Sequence, residues 1–186
     1  TLIDRTKFAI STEETRYYLN GIYLESFDSD GVSGLRAVAT DGHRLAKCEI
    51  PMELNGHTVS GVIIPRKTVG ELAKLVEGND DALELSVSET KIRVKKDAMT
   101  LTSKLIDGTF PDYQRVIPSN NDKTLTVDPG LLNKAVDRVS IVSTDRSRGV
   151  KFSLSEAALG LQSSSAEMGT ANEEIEASFT GESVSL

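Results

Sequence analysis

Hydrophobic and polar positions alternate along most of this chain with the two-residue period of strands, interrupted twice by the longer period of a helix. Residues 16–27 are rich in aromatic and branched types and run into the turn cluster Asp28, Ser29, Asp30 and Gly31, which predicts a strand and a hairpin. Its return arm is expected over Leu35–Thr40, followed by a tight turn at Asp41-Gly42 and a further strand over Arg44–Ile50. Gly61–Ile64 is a short apolar run. Pro65 then opens a helix, because Val69, Leu72, Ala73 and Val76 recur at i, i+3, i+4 and i+7, and Gly78 can end it.

Runs at 83–88, 91–96 and 99–106 predict a second set of strands. In the middle run Lys91, Arg93 and Lys95 alternate with Ile92 and Val94, the pattern of a sheet with one wet face. The segments 107–113 and 118–123 carry Gly, Pro, Asn and Asp and read as loops, the second as a domain boundary. Asp128 and Pro129 then supply an N-cap and a first helical residue, with Leu132, Ala135, Val136 and Val139 forming a stripe that extends to about Val142. Strands at 149–154, 158–163 and 173–180 complete the chain. Ser11–Arg16 resembles Ser143–Arg148, 132 residues further on, and helix-then-strands order near 1–50 recurs at 61–106. The repeated unit is read as one helix plus about three strands, an α+β organisation with helices on one face of antiparallel sheets.

The chain has 186 residues, 28 Asp plus Glu against 21 Lys plus Arg, and a net charge of −7. Both signs are interspersed and apolar residues suffice for one large or two small cores, so the chain reads as globular. Such acidity repels phosphate on average, and any nucleic-acid role needs a local basic site. The single Cys48 excludes an internal disulfide framework, and with only two His a Cys/His zinc site is not expected. No run approaches the roughly 20 apolar residues of a membrane span and no leader pattern is visible at Thr1, so a cytoplasmic setting is expected.

No phosphate loop, dinucleotide fingerprint, nucleophile elbow or zincin motif occurs. Asp41-Gly42-His43-Arg44 is the most enzyme-like cluster, and its plainer reading is a turn. Arg66 and Lys67 place two cations in the first turn of a helix, against the helix dipole, which suits either a phosphate contact or solvated charges. Lys91, Arg93, Lys95 and Lys96 read as the basic solvent face of an edge-like strand. Arg16, Tyr17 and Tyr18 join a cation to two aromatics, with strand alternation sending the tyrosines to opposite faces. Phe110, Pro111, Tyr113, Arg115, Val116 and Pro118 make an apolar loop, either a strap over the core or the wall of a peptide groove.

Together Arg16–Gly21, Ala39–Ala46, Ile64–Lys67, Thr102–Gly108 and Phe110–Tyr113 resemble the bacterial DNA polymerase III beta subunit family, the sliding clamps, in family order and spacing along the whole chain. The resemblance implies the clamp fold, with 1–118 corresponding to the second domain and 119–186 to the first half of the third. The family's first domain would then precede Thr1, and the rest of the third would follow Leu186. It implies a non-enzymatic processivity factor: a homodimeric ring around duplex DNA, without metal or cofactor, in the cytoplasm at the nucleoid. Partners would be the polymerase III alpha subunit, clamp-loader subunits, other polymerases and repair proteins, docking through short linear peptides. Carried over by motif, the peptide pocket would use Leu19, Thr40, Gly42, His43, Arg44, Leu45, Pro111, Arg115 and Val116, and DNA would meet Arg16, Tyr18, Arg66 and Lys67.

Small residues at Thr40 and Gly42 would leave room for an apolar side chain, and Arg44 and Arg115 would offer donors to peptide carbonyls. Glu13 stands where relatives often have Gln, and Ser147 where some have an aromatic. Without the tail that completes the pocket, weaker peptide binding is expected. Two other readings remain: a β-rich interaction module with no DNA role, and a hydrolase built on Asp41 and His43.

Overall fold

A computed structural model describes residues 1–77, 82–144 and 149–186. The chain divides into two compact units, Thr1–Gln114 and Arg115–Leu186. The division falls a few residues before the 118–123 loop, because Phe110 and Tyr113 are still buried in the first unit's core.

In the first unit, strands β1 (Gly21–Ser29), β2 (Val32–Thr40), β3 (Leu45–Pro51) and β4 (Val62–Pro65) form an antiparallel sheet in the order β3-β2-β1-β4. The β1–β2 hairpin closes through Asp30 and Gly31 at φ of 54° and 77°, the left-handed pair that matches strand twist in a two-residue turn. Helix α1 (Arg66–Val76) follows β4 directly. It buries Val69 and Leu72 against Ile22, Leu24, Ala37 and Ile64 of the sheet and against Ile92 and Val94 of the next one. Each such side chain contributes roughly 1.5–3 kcal/mol. Predicted termination at Gly78 lies outside the described residues.

Strands β5 (Glu84–Val87), β6 (Lys91–Lys96) and β7 (Met99–Lys104) form the second sheet, with β6 in the centre. This corrects the edge-strand reading of Lys91–Lys96. Lys91, Arg93 and Lys95 do face solvent, but Lys96 falls in register with Ile92 and Val94 and is buried. Its ammonium donates to the Leu75 carbonyl at 3.0 Å, where the C-terminal end of α1 favours a cation.

The strand predicted over 16–27 begins only at Gly21, and Glu14–Leu19 is a 3-10 turn instead. Local side-chain bonds outcompete the aromatic strand propensity there. Ser11 Oγ accepts the Glu13 N–H at 3.1 Å, Arg16 is tied back to Glu13, and the Asn20 side chain donates to the Glu13 carbonyl at 3.1 Å. Tyr17 and Tyr18 consequently meet edge to face at 5.7 Å rather than projecting to opposite sides of a strand. Residues 1–20 hold 3-10 turns and no α-helix, so the repeat of one helix followed by strands does not extend to the first 50 residues.

In the second unit, β8 (Thr124–Thr126) precedes α2 (Pro129–Val139), whose cap is as predicted: Asp128 Oδ1 accepts the Leu131 N–H at 2.8 Å with Pro129 at the first position. Ala135 and Val139 of α2 pack on Leu159, Leu161 and Ile175. Strands β9 (Lys151–Leu154), β10 (Ala158–Ser165), β11 (Gly169–Glu176) and the short β13 (Val184–Ser185) pair antiparallel in the order β11-β10-β9-β13. The single strand expected over 173–180 is two: β11 ends at Glu176, and β12 (Ser178–Thr180) leaves the sheet to pair with β8. Of the internal repeat, Asp145–Arg148, including Ser147, lies outside the described residues.

Candidate functional site

The turn between β2 and β3, with its flanking residues Thr40 and Leu45, carries five of the residues assigned to a peptide pocket. Thr40 Oγ1 accepts the Gly42 N–H at 3.1 Å and donates to the Arg44 carbonyl at 2.8 Å. Asp41 Oδ1 accepts the N–H groups of His43 and Arg44 at 2.9 and 3.0 Å, and Oδ2 accepts Arg44 Nε at 3.0 Å. Those backbone bonds, from Arg44 first and His43 second, lower the Asp41 carboxyl to about 2. Gly42 sits at φ +90°, where a side chain would be strained. The turn is therefore preset, and it holds His43 and Arg44 out in solvent.

This geometry ties Asp41 to the backbone of His43 and does not pair the two side chains, as the hydrolase reading would need. A carboxyl near 2 with its oxygens committed to the turn is no general base, and its link to His43 is through the backbone. Among the described residues no three His, Cys, Asp or Glu side chains group as metal ligands. At Thr40 and Gly42, where the sequence suggested open space, the neighbours are the turn itself and the tip of the Arg16 side chain. Thr40 is buried and fully engaged, and a methyl built on Gly42 would meet Arg16 Nη1 at 2.5 Å.

Behind the turn, Leu19 is buried with Val38, Ile63, Phe110 and Tyr113, while Leu45 is half-buried on that cluster and Pro111 is exposed. The 107–113 segment thus acts as a strap through Phe110 and Tyr113. Phe110 stacks on Tyr23 with ring centroids 4.8 Å apart, and the Tyr113 hydroxyl donates to Glu25 at 2.6 Å. Burial pulls the Arg36 guanidinium down, but bonds to Glu49, Glu25 and Tyr113 outweigh it and hold Arg36 above its ordinary value. Arg115 and Val116 lie on the 3-10 turn Tyr113–Val116, both exposed, and fall in the second unit.

The residues assigned to DNA divide into two groups. Arg66 and Lys67 are exposed in the first turn of α1, which has no side-chain cap and no acid to offset them. They border a recess with Ser11, Thr12, Asn20 and, one turn on, Glu71, and the Arg66 N–H donates to the Asn20 carbonyl at 2.9 Å. Arg16 and Tyr18 lie on the 3-10 turn before Asn20. Arg16 is engaged by Glu13, donating from Nε and Nη2 at 2.8 and 2.7 Å, and that bond first of all lowers the Glu13 carboxyl. Sequence reasoning missed this fork and its contact with Gly42. It also missed Phe8, an exposed ring with the Arg44 guanidinium 5.5 Å from its centroid. The three-residue spacing of Glu13 and Arg16 was the one available signal.

Two family models cover these units. Residues 1–112 match the DNA polymerase III beta subunit, central domain, and 114–186 match its C-terminal domain. The chain belongs to the DNA polymerase III beta subunit family. Among similar proteins, the beta sliding clamp of Caulobacter vibrioides is 50% identical over 181 residues, 97% of this chain and 49% of that protein. The beta sliding clamp of Pseudomonas aeruginosa is 41% identical over 182 residues, again 97% of this chain and 48% of its own length. Among solved structures, the sliding clamp of Bartonella birtlesii bound to griselimycin superposes with a TM-score of 0.91 at 49% identity, over 100% of this chain and 50% of that one. The fold is therefore that of the clamps, and this chain spans about half the length of the relatives it matches. No described helix is long and apolar enough to cross a membrane.

Proposed function

We propose that this chain is part of a sliding clamp, a non-catalytic processivity factor that encircles duplex DNA as a homodimeric ring and docks short peptide motifs. Residues 1–118 serve as the central domain and 119–186 as the first half of the C-terminal one. Docking partners are the replicative polymerase's alpha subunit, clamp-loader subunits, other polymerases and repair proteins, in the bacterial cytoplasm at the nucleoid. The observation that carries the docking half is the Thr40–Leu45 turn. It presents His43 and the Arg44 guanidinium on a preset backbone beside half-buried Leu45 and exposed Pro111, the combination of fixed donors and apolar wall that peptide grooves use.

Arg66 and Lys67 are the phosphate contacts the geometry favours, since the N-terminus of α1, which has no side-chain cap, adds its dipole to their charge. Two such cations in an acidic chain give the weak, rapidly exchanging contact that a sliding ring requires.

Griselimycin, the ligand of the Bartonella birtlesii relative, is the probe for docking. Calorimetric titration of this chain should give saturable binding, weakened at least tenfold in a His43→Ala, Leu45→Ala variant. No binding, or equal affinity for both proteins, would sink the site. In the full-length protein, Arg66→Ala with Lys67→Ala should reduce the dependence of log K for DNA on log salt by about 2 for each subunit, and so by up to about 4 for the homodimeric ring, one phosphate for each cation. An unchanged slope would remove both residues from the interface.

A further inference from the structure

We propose that Arg16 is a positioning residue of the docking turn: the Glu13–Arg16 fork braces Gly42 and so fixes how His43 and Arg44 are presented. The proposal rests on the docking reading above and changes the role that the motif resemblance gave Arg16.

The Arg16 guanidinium is held by two parallel bonds to the Glu13 carboxylate, 2.8 Å from Nε and 2.7 Å from Nη2. That leaves Nη1 on the side facing the turn, where it meets the Gly42 position at 2.5 Å from an added methyl, with Cζ at 3.4 Å and Nη2 at 3.6 Å. Gly42 in turn lies between the Thr40 hydroxyl that accepts its N–H and the Asp41 carboxylate that holds the next two N–H groups. The contact is thus with the residue whose left-handed backbone sets the path of the turn. Glu13 completes the brace because it is itself fixed, its N–H on Ser11 Oγ and its carbonyl on the Asn20 side chain. The planar fork supplies direction that a single ammonium cannot.

Exposed ion pairs of this kind contribute little to global stability. A brace and a general stabiliser therefore differ in their readouts. Arg16→Ala in this chain should leave the melting temperature within about a degree, while amide exchange at His43 and Arg44 quickens. Griselimycin affinity should fall by roughly tenfold, the cost of ordering about one backbone residue on binding. Arg16→Lys keeps the charge and loses the fork, so it should behave like Arg16→Ala. Glu13→Gln keeps one acceptor and should lie between. Gly42→Ala should weaken binding by itself, and the double variant with Arg16→Ala should be no weaker than Gly42→Ala, because both act through one contact.

Unchanged amide exchange in Arg16→Ala would overturn the brace whatever the ligand does. Multiplying losses in the double variant, or full affinity in Arg16→Lys, would overturn it too. If the unaltered chain binds no griselimycin, the docking reading fails, and the exchange measurement still decides whether Arg16 positions the turn.

Discussion

Replacing Tyr113 by Phe isolates one polar contact beneath the strap. The hydroxyl donates to Glu25 Oε1 at 2.6 Å and accepts from Arg36 Nη1 at 3.1 Å, while Arg36 holds Glu25 at 3.0 Å and Glu49 at 2.6 Å. The side chains of Arg36 and Glu25 are only 15% and 20% exposed, so water replaces the lost bond poorly. A hydrogen bond to a charged group in such surroundings contributes about 1.5–3 kcal/mol. The phenyl ring keeps its place beside Tyr23, 6.3 Å away between centroids, so no cavity opens. Arg36 and Glu25 remain paired, which removes the penalty of an orphaned charge. The expected loss is about 2 kcal/mol. With a urea m-value of about 2 kcal/mol/M, the midpoint should fall by about 1 M at unchanged m, read by circular dichroism. A midpoint within 0.2 M of the original would show that the network contributes nothing through this hydroxyl. Phe110→Ala should cost more, about 3–5 kcal/mol, because it empties the stacked position on Tyr23.

Lys96→Ala should destabilise the first unit by about 2 kcal/mol, read as a lower melting temperature, by freeing the Leu75 carbonyl and emptying a buried position. A surface lysine would give no change. Asp128→Ala should cost about 1 kcal/mol and quicken exchange of the Leu131 amide first. For Asp41 the folded carboxyl lies below its ordinary 3.8, so its contribution to the turn is fully present above 3.8 and is lost as pH falls through about 2. The His43 and Arg44 amide resonances should shift with a midpoint near 2, and a midpoint near 3.8 would contradict the assigned bonds.

The elements legible in the chain were those whose signals are local and agree with one another. Asp128-Pro129 ahead of an apolar stripe became α2 with the expected cap, and Val69 and Leu72 became the buried face of α1. Residues 14–19 misled because aromatic content predicts a strand only where backbone partners are free. Here the Ser11 and Asn20 side chains satisfy the Glu13 N–H and carbonyl locally and a 3-10 turn results. Lys96 misled because polar character was read as exposure, whereas its register with Ile92 and Val94 fixed its direction. At the site, the Asp41-Gly42 turn was legible from two residues. The Arg16 contact with Gly42 was not, since nothing short of the fold brings positions 16 and 42 together.

The two α-helices of the described residues differ in how their N-termini are built. Both have 11 residues and bury one face, yet their N-termini are built oppositely. At α2 an aspartate occupies the cap, its carboxylate already satisfying an N–H and offsetting the dipole. At α1 the cap is Pro65, which offers no side-chain acceptor, and the next two residues are cations. Stability alone favours the first arrangement, since Arg66 and Lys67 oppose the positive end of their own helix. The proposed phosphate contact would offset the unfavourable placement at α1. A phosphate there would meet the dipole and both charges at once, while the acidic remainder of the surface limits adhesion elsewhere. The net charge of −7 therefore restricts where a polyanion can rest on this chain without forbidding it to rest at all.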